Sequence, residues 1–311
     1  MQQMPGRHTV ASFGNGLFFF QNRPEVQQLI ELEGLTYSPT ASGEIGLWQS
    51  LRRLAEVPRI LQSNRARLKS LNPDLIICDS YYGPLGARSR SIAAINNADR
   101  IAQHFFQSSA KPLKIFPHFF LVELLDLAWH RLAIKNRISP WFYPSLLCRR
   151  EIQLAPPRDP SRILVMLSGS GLGPQIDPVD WAPGCRIDVV GRQGESRGQL
   201  HFHGKMADNT SLLNQADVLV VQAGFSAISE AMAMRKPFVV VPLAGHAEQW
   251  INARSVQQLG VARMATSFAE VKSELDLLLS RPEMHRRAYQ RLELRNDAAE
   301  KIAGFLLQPF T

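Results

Sequence analysis

The sequence predicts a two-domain α/β protein built on doubly wound parallel sheets, and three observations carry that expectation. The chain has 311 residues, more than one hydrophobic core usually sustains. Short apolar runs alternate with longer helical stretches. A proline-rich break lies near the middle.

The apolar runs are Leu75–Cys78, Ile92–Ile95, Ile163–Leu167, Ile187–Val190, Val218–Val221 and Phe238–Val241. They are apolar throughout instead of alternating, and Gly, Pro or Asp flanks them, as expected of parallel strands buried on both faces. The break, LAPPRDPS at Leu154–Ser161, puts three prolines and two charges before a fresh strand. It divides the chain into an N-terminal domain, residues 1–154, and a C-terminal domain, residues 155–311. Between the runs, Val26–Gly34 reads as a short helix, Gly46–Leu71 as a longer one, and Pro282–Leu307 as a closing helical segment.

The opening is atypical. A doubly wound domain normally starts with an apolar strand leading into a Gly-rich turn, whereas here HTVASFGNG follows a short polar stretch. The first βα unit is therefore expected to be missing, through truncation, rearranged catalysis, or a protein that binds without turnover.

Hydrophobic residues make up 45% and charged residues 20%, the composition of a folded globular chain. The formal charge of +8 suits an anionic partner such as a nucleotide diphosphate or a phospholipid surface. No zinc-finger spacing, RNA-binding signature or basic run with interleaved aromatics is present, which argues against nucleic acid. Cys78, Cys148 and Cys185 are widely spaced and odd in number, the usage of a reducing cytosol. With no long uncharged run, the chain reads as cytoplasmic, at most peripheral at the inner face of the membrane. Residues 115–138 suit an amphipathic helix. It lies either on a membrane interface, where it would present a lipid-linked acceptor, or on the first domain's sheet.

The strongest chemical signal runs from Ala216 to Ala262. A strand at Val218–Val221 turns at Ala223, Gly224 and Phe225 into a helix from about Ser226 to Met234. That turn aims free N–H groups and a positive helix end at the carboxyl edge of the sheet, where phosphates dock. Glu230, one turn in, can accept from a ribose diol. The structural alternatives are Ser226 as an N-cap and Glu230 as support for the first turn. After the next strand, Gln249 and Asn252 share a helix face and can fix sugar hydroxyls, with His246 near the diphosphate; solvent-facing polar residues are the alternative.

A second signal is the glycine-rich exit Ser168, Gly169, Ser170, Gly171 after Ile163–Leu167, which lets backbone amides approach a diphosphate. His201 and His203 alternate as on one strand face, but with no third ligand nearby they read as structural, and no metal site is expected.

These residues resemble the donor-binding signature of the family 28 glycosyltransferases and their UDP-glycosyltransferase relatives. The shared pattern is an Asp-Val strand, Gly224-x-Ser226-x-x-x-Glu230, Lys236-Pro237, Val241-Pro242 and Gln249-x-x-Asn252-Ala253. The resemblance implies a GT-B fold: two Rossmann-like domains with a cleft between them. It also implies a metal-independent hexosyl- or N-acetylhexosaminyl-transferase with no permanent cofactor, taking a UDP-sugar as co-substrate and a hydroxyl acceptor.

Gly224, Phe225 and Ser226 would then line the nucleotide pocket, Glu230 would bind the ribose, Gln249 and Asn252 the donor sugar, and Met206 would neighbour the base. The N-terminal segment from Leu71 to Asp99 resembles the same families' Pro-Asp-Leu strand, with Asp79 either a candidate base in the cleft or a cap or loop anchor. The catalytic His of the relatives has no clear counterpart, His8 being the only early histidine. Two other functions stay open at this stage: a degenerate nucleotide-sugar-binding or partner protein, and a nucleotide-sugar hydrolase or epimerase.

Overall fold

A computed structural model describes residues 6–34, 52, 55–78, 91–95, 136–138, 145–149, 151–152, 161–168, 176–243 and 246–307. The chain folds as two compact α/β units, and the second runs from Trp141 to Ala298. The division thus falls before the proline-rich break, and the segment from Ala299 onward belongs with the first unit. The reason is visible at Leu146, which is 1% exposed and part of the second unit's core, pinned by the hydrogen bond from its N–H to the Arg295 carbonyl.

The first unit opens with strand β1 (Thr9–Ser12), helix α1 (Asn15–Phe20) and strand β2 (Gln28–Glu31), and β1 pairs parallel with β2. A strand, a glycine-containing turn and a helix are therefore present where a missing βα unit was expected. The strand is hard to read because its four residues alternate between exposed and half-buried.

The helix expected over Val26–Gly34 is likewise a strand at its centre. Pairing with β1 extends it, and a clamp from helix α2 (Val57–Leu68) holds its exit. There Asn64, almost fully buried, accepts from Glu33 N–H at 2.8 Å and donates to the Glu33 carbonyl at 2.7 Å.

A second sheet joins β3 (Leu75–Cys78), β4 (Ser91–Ile95) and β5 (Asn136–Ile138), all parallel. Asn136–Ile138 are thus extended, so the helix expected over 115–138 does not reach its stated end; residues 115–135 lie outside the described residues. Among the described residues no helix is long and apolar enough to cross a membrane.

The second unit is better developed. Strands β6 (Arg162–Met166), β7 (Arg186–Val190), β8 (Leu200–Gly204), β9 (Val218–Gln222), β10 (Phe238–Val241) and β11 (Ala262–Met264) form one parallel sheet, ordered β11-β10-β9-β6-β7-β8. Read from β8, this is the 3-2-1-4-5-6 order of a dinucleotide-binding fold, with the topological switch point between β6 and β9.

Both faces are covered, which is why its central strands are apolar without alternation. Leu164, Met166, Leu219, Val221 and Val240 point to one face, beneath helices α3 (Thr210–Gln215), α4 (Phe225–Ala233), α5 (Ala247–Gln258) and α7 (Pro282–Gln290). Ile163, Val165, Val218, Val220 and Val239 point to the other, against α6 (Val271–Ser280) and Trp181. The closing segment is two helices, α7 and α8 (Ala298–Leu306).

The Lys236-Pro237 pair that precedes β10 has a structural explanation. The almost fully buried Lys236 sends its ammonium to the carbonyls of Leu213, Asn214 and Ala216, capping the C-terminus of α3. Its own carbonyl accepts from Tyr289 Oη at 2.9 Å, tying α7 to the same corner.

Candidate active site

The carboxyl edge at the switch point gathers most of the residues singled out from sequence. Gly224 is the N-cap of α4, so Ser226 lies inside the first turn, exposed, and does not cap the helix. One turn on, Glu230 is almost fully buried. Its Oε1 accepts from Arg149 Nε at 2.6 Å, and its Oε2 has no partner among the described residues. Leu147, Cys148, Arg149, Ser226 and Glu230 line an open cavity of about 220 Å³.

Arg149 is the residue that sequence reasoning missed, having been assigned to the wrong domain. Its other nitrogens donate to Asp208 Oδ1 at 3.1 Å, Thr210 Oγ1 at 3.0 Å and Asn209 Oδ1 at 2.8 Å, so one guanidinium joins α4 to the loop after β8. Burial works against its charge, but the hydrogen bond and charge of Glu230 hold its pKa above the ordinary arginine value. Next to it, burial first and the Glu230 charge second push the Cys148 thiol up to about 11. Met206, on the same loop, is half-buried and packs against the core cluster to which α4 contributes.

The α5 residues brace the edge from behind. Asn252 is fully buried and donates to the Ala223 carbonyl at 3.1 Å, steadying the β9–α4 turn; it does not share a solvent-facing surface with Gln249. Gln249 turns back and accepts from Leu243 N–H at 2.8 Å. His246 is the N-cap of α5. Ser168 leaves β6 at the switch point itself, where its N–H donates to Gln222 Oε1. Gly169, Ser170, Gly171 and Asp79 lie outside the described residues.

His8 sits at the amino end of β1, before Thr9, and so at the far end of that strand from the glycine-containing turn. A catalytic role at a carboxyl strand edge does not fit that position. His203 Nε2 donates to Asp188 Oδ1 at 2.7 Å within the sheet. Among the described residues no group of three His, Cys, Asp or Glu side chains is placed to hold a metal ion.

A family model described as glycosyl transferase family 1 matches residues 121–281, just over half of the chain. The chain belongs to glycosyl transferase family 1. An uncharacterized glycosyltransferase of Methanosarcina acetivorans is 22% identical to this family 1 chain over 285 residues, 77% of the chain and 72% of that protein. A second relative is the UDP-N-acetylglucosamine--N-acetylmuramyl-(pentapeptide) pyrophosphoryl-undecaprenol N-acetylglucosamine transferase of Geobacillus thermodenitrificans. It is 35% identical over 71 residues, a match that spans 22% of this chain and only 20% of that enzyme.

In overall fold the family 1 chain is similar to the glycotransferase of kitacinnamycin, with a TM-score of 0.54, 18% identity, and 96% and 91% of the two chains covered. This glycosyltransferase thus has the GT-B architecture of Rossmann-like units, and resembles family 28 as the Gly224–Asn252 pattern implied.

Proposed function

We propose that the second unit binds the nucleotide of a nucleoside-diphosphate sugar, UDP-linked, and that the protein transfers its sugar to a hydroxyl acceptor. The observation that carries this reading is the Glu230 carboxylate. It stands one turn inside α4 at the switch point, held by Arg149 on one oxygen and with the other unpartnered among the described residues, against a cavity open to solvent. A carboxylate fixed in this way accepts hydrogen bonds from a ribose diol without first giving up a protein partner.

Two further observations support it. A 3-2-1-4-5-6 sheet binds nucleotides outside the carboxyl ends of its strands at the switch point. Neither backbone strain nor crowding among the described residues, moreover, requires glycine at Gly224: its φ is −68°, and an added Cβ would meet nothing closer than the Gln222 carbonyl at 4.0 Å. Space left open at a helix N-terminus suits a ligand that approaches the backbone there.

Uridine as the base, a hexose or N-acetylhexosamine as the sugar, and an acceptor presented at a membrane surface belong to the same reading. The named substrate of the Geobacillus relative supports them. The second unit would act on the donor by orientation and charge, with the α4 N-terminus and the Ser168 hydroxyl at the diphosphate and without a protein-bound metal; transfer should therefore persist in excess EDTA.

Calorimetric titration with UDP, GDP and dTDP, on the wild type and Glu230→Ala, tests the proposal. One nucleotide should bind, and the substitution should weaken it by about ten-fold or more, the loss expected for hydrogen bonds to a charged group. Absence of binding to all three would sink it.

A further inference from the structure

The exits of β6, β7 and β9 are tied together by buried polar side chains for which the ribose-binding role of Glu230 has no use. Gln222 ends β9, a strand whose five residues are all buried, and is 5% exposed. An amide in that position is costly unless it is hydrogen-bonded, and it accepts from the N–H of Ser168 across the switch point. From the other side Arg192, 8% exposed, donates through Nη1 to the Ser168 carbonyl at 2.6 Å.

The N–H and the carbonyl of Ser168 are therefore both held, one by each side chain. Arg192 reaches its target because the preceding Gly191 has φ +88°, a conformation that brings the β7 exit against β6 so closely that a Cβ would lie 2.0 Å from the Leu167 carbonyl oxygen. The Gly191 N–H bonds to the Gly204 carbonyl at 2.7 Å, which secures that turn to β8.

We infer that Gln222 and Arg192 are positioning residues for the donor's diphosphate, acting through the Ser168 peptides. The inference rests on the donor reading above and narrows it to the phosphate arm. In this sheet order the pyrophosphate sits at the turn that leaves the first strand, which here is β6, and the Ser168 hydroxyl aims at phosphate only as well as the backbone that carries it is held. Glu230 and Arg149 lie farther along the α4 side, one turn past its N-terminus, and serve the nucleoside. The two arms should therefore be separable by substitution.

The test is calorimetry on the full chain with three ligand pairs, uridine and UDP, guanosine and GDP, thymidine and dTDP, for wild type, Gln222→Met, Arg192→Met and Arg192→Lys. In both Met variants the diphosphate that the wild type binds should weaken by about ten-fold, the equivalent of one positioned hydrogen bond, while its nucleoside binds unchanged. Arg192→Lys, which keeps the charge and a donor, should recover part of the loss; it also serves as the test variant if the Met variants fail to fold. In turnover kcat/KM for the donor should fall, and kcat with it, because the diphosphate is the leaving group on which charge develops.

Parallel weakening of nucleoside and diphosphate, or an unchanged diphosphate affinity in folded variants, would overturn the inference and leave the donor reading standing. No binding of any ligand by the wild type would overturn both.

Discussion

The guanidinium of Arg149 donates from Nε to Glu230 Oε1 at 2.6 Å, while its remaining nitrogens hold Asp208, Asn209 and Thr210. One side chain thus orients the carboxylate and fixes the loop that faces it. The pair is asymmetric, since the Glu230 side chain is 9% exposed and that of Arg149 26%. Removing Arg149 leaves a nearly buried charge unpaired, whereas removing both charges leaves a neutral amide beside an apolar side chain.

Arg149→Met should therefore destabilise the second unit more than the double variant with Glu230→Gln does. After allowance for the partial exposure of Arg149, the coupling energy is expected at about 1–3 kcal/mol. Urea denaturation of the four proteins in the cycle measures it, and a coupling near zero would mean that the contact does not organise the site.

Gly224→Ala separates binding from folding. The backbone there is compatible with any residue and the space is open. Alanine should therefore change the melting temperature little, the gain of up to about 1 kcal/mol from the less flexible unfolded chain being offset by the poorer N-cap that alanine makes. Nucleotide affinity should fall if a ligand packs on that backbone. A melt together with calorimetry decides; full affinity in the alanine variant would place the nucleotide elsewhere.

The sheet of the second unit was legible because its central strands are buried on both faces. Ile163–Leu167, Ile187–Val190, Val218–Val221 and Phe238–Val241 read as apolar runs, and each is a strand to within about one residue of the expected bounds. The short strands of the first unit were not. β1 and β2 are four residues each and only half-buried, so no run of large apolar side chains marks them.

Glu230 was placed on its helix by the turn chemistry at Gly224, but its partner is 81 residues away in a different segment, a separation no local pattern encodes. Gln222 and Arg192 were passed over for a related reason. A glutamine at a strand end and an arginine after a Gly look like surface punctuation until the burial of both is known. The proline-rich break misled because composition marks a loop, whereas the division between units follows burial, and Leu146 is already core.

Acid stability should depend on Asp188. Burial alone would raise its pKa, but hydrogen bonds from Arg186, His203 and Arg162, with the charge of Arg162, outweigh it and hold the carboxyl at about 2. A depressed folded-state pKa contributes stability that is complete above the unfolded value and is lost as the pH falls through it toward the folded one. The window is therefore from about pH 4 to about pH 2, and the contribution on the order of 2 kcal/mol. Asp188→Asn should be less stable at pH 7 and should show a shallower further loss through that window. Chemical denaturation at a series of pH values would show the two curves converging at the acid end; parallel curves would mean that the cluster does not set the carboxyl's pKa.

The Cys148 thiol reports on the cavity it lines. With its pKa pushed up to about 11, mainly by burial and then by Glu230, it is almost wholly protonated at neutral pH. Since the thiolate is the reacting species, alkylation by iodoacetamide at pH 8 should run about 100-fold slower than for an ordinary exposed cysteine, and should accelerate as the pH rises toward 11. Glu230→Gln removes the second of the two raising causes and should speed the reaction at constant pH. A nucleotide bound against Glu230 should slow it again by covering the opening. Peptide mapping by mass spectrometry separates Cys148 from Cys185 and Cys78. Rapid labelling of Cys148 at pH 8, insensitive both to Glu230→Gln and to nucleotide, would show that the thiol does not share its environment with the carboxylate on which the donor reading depends.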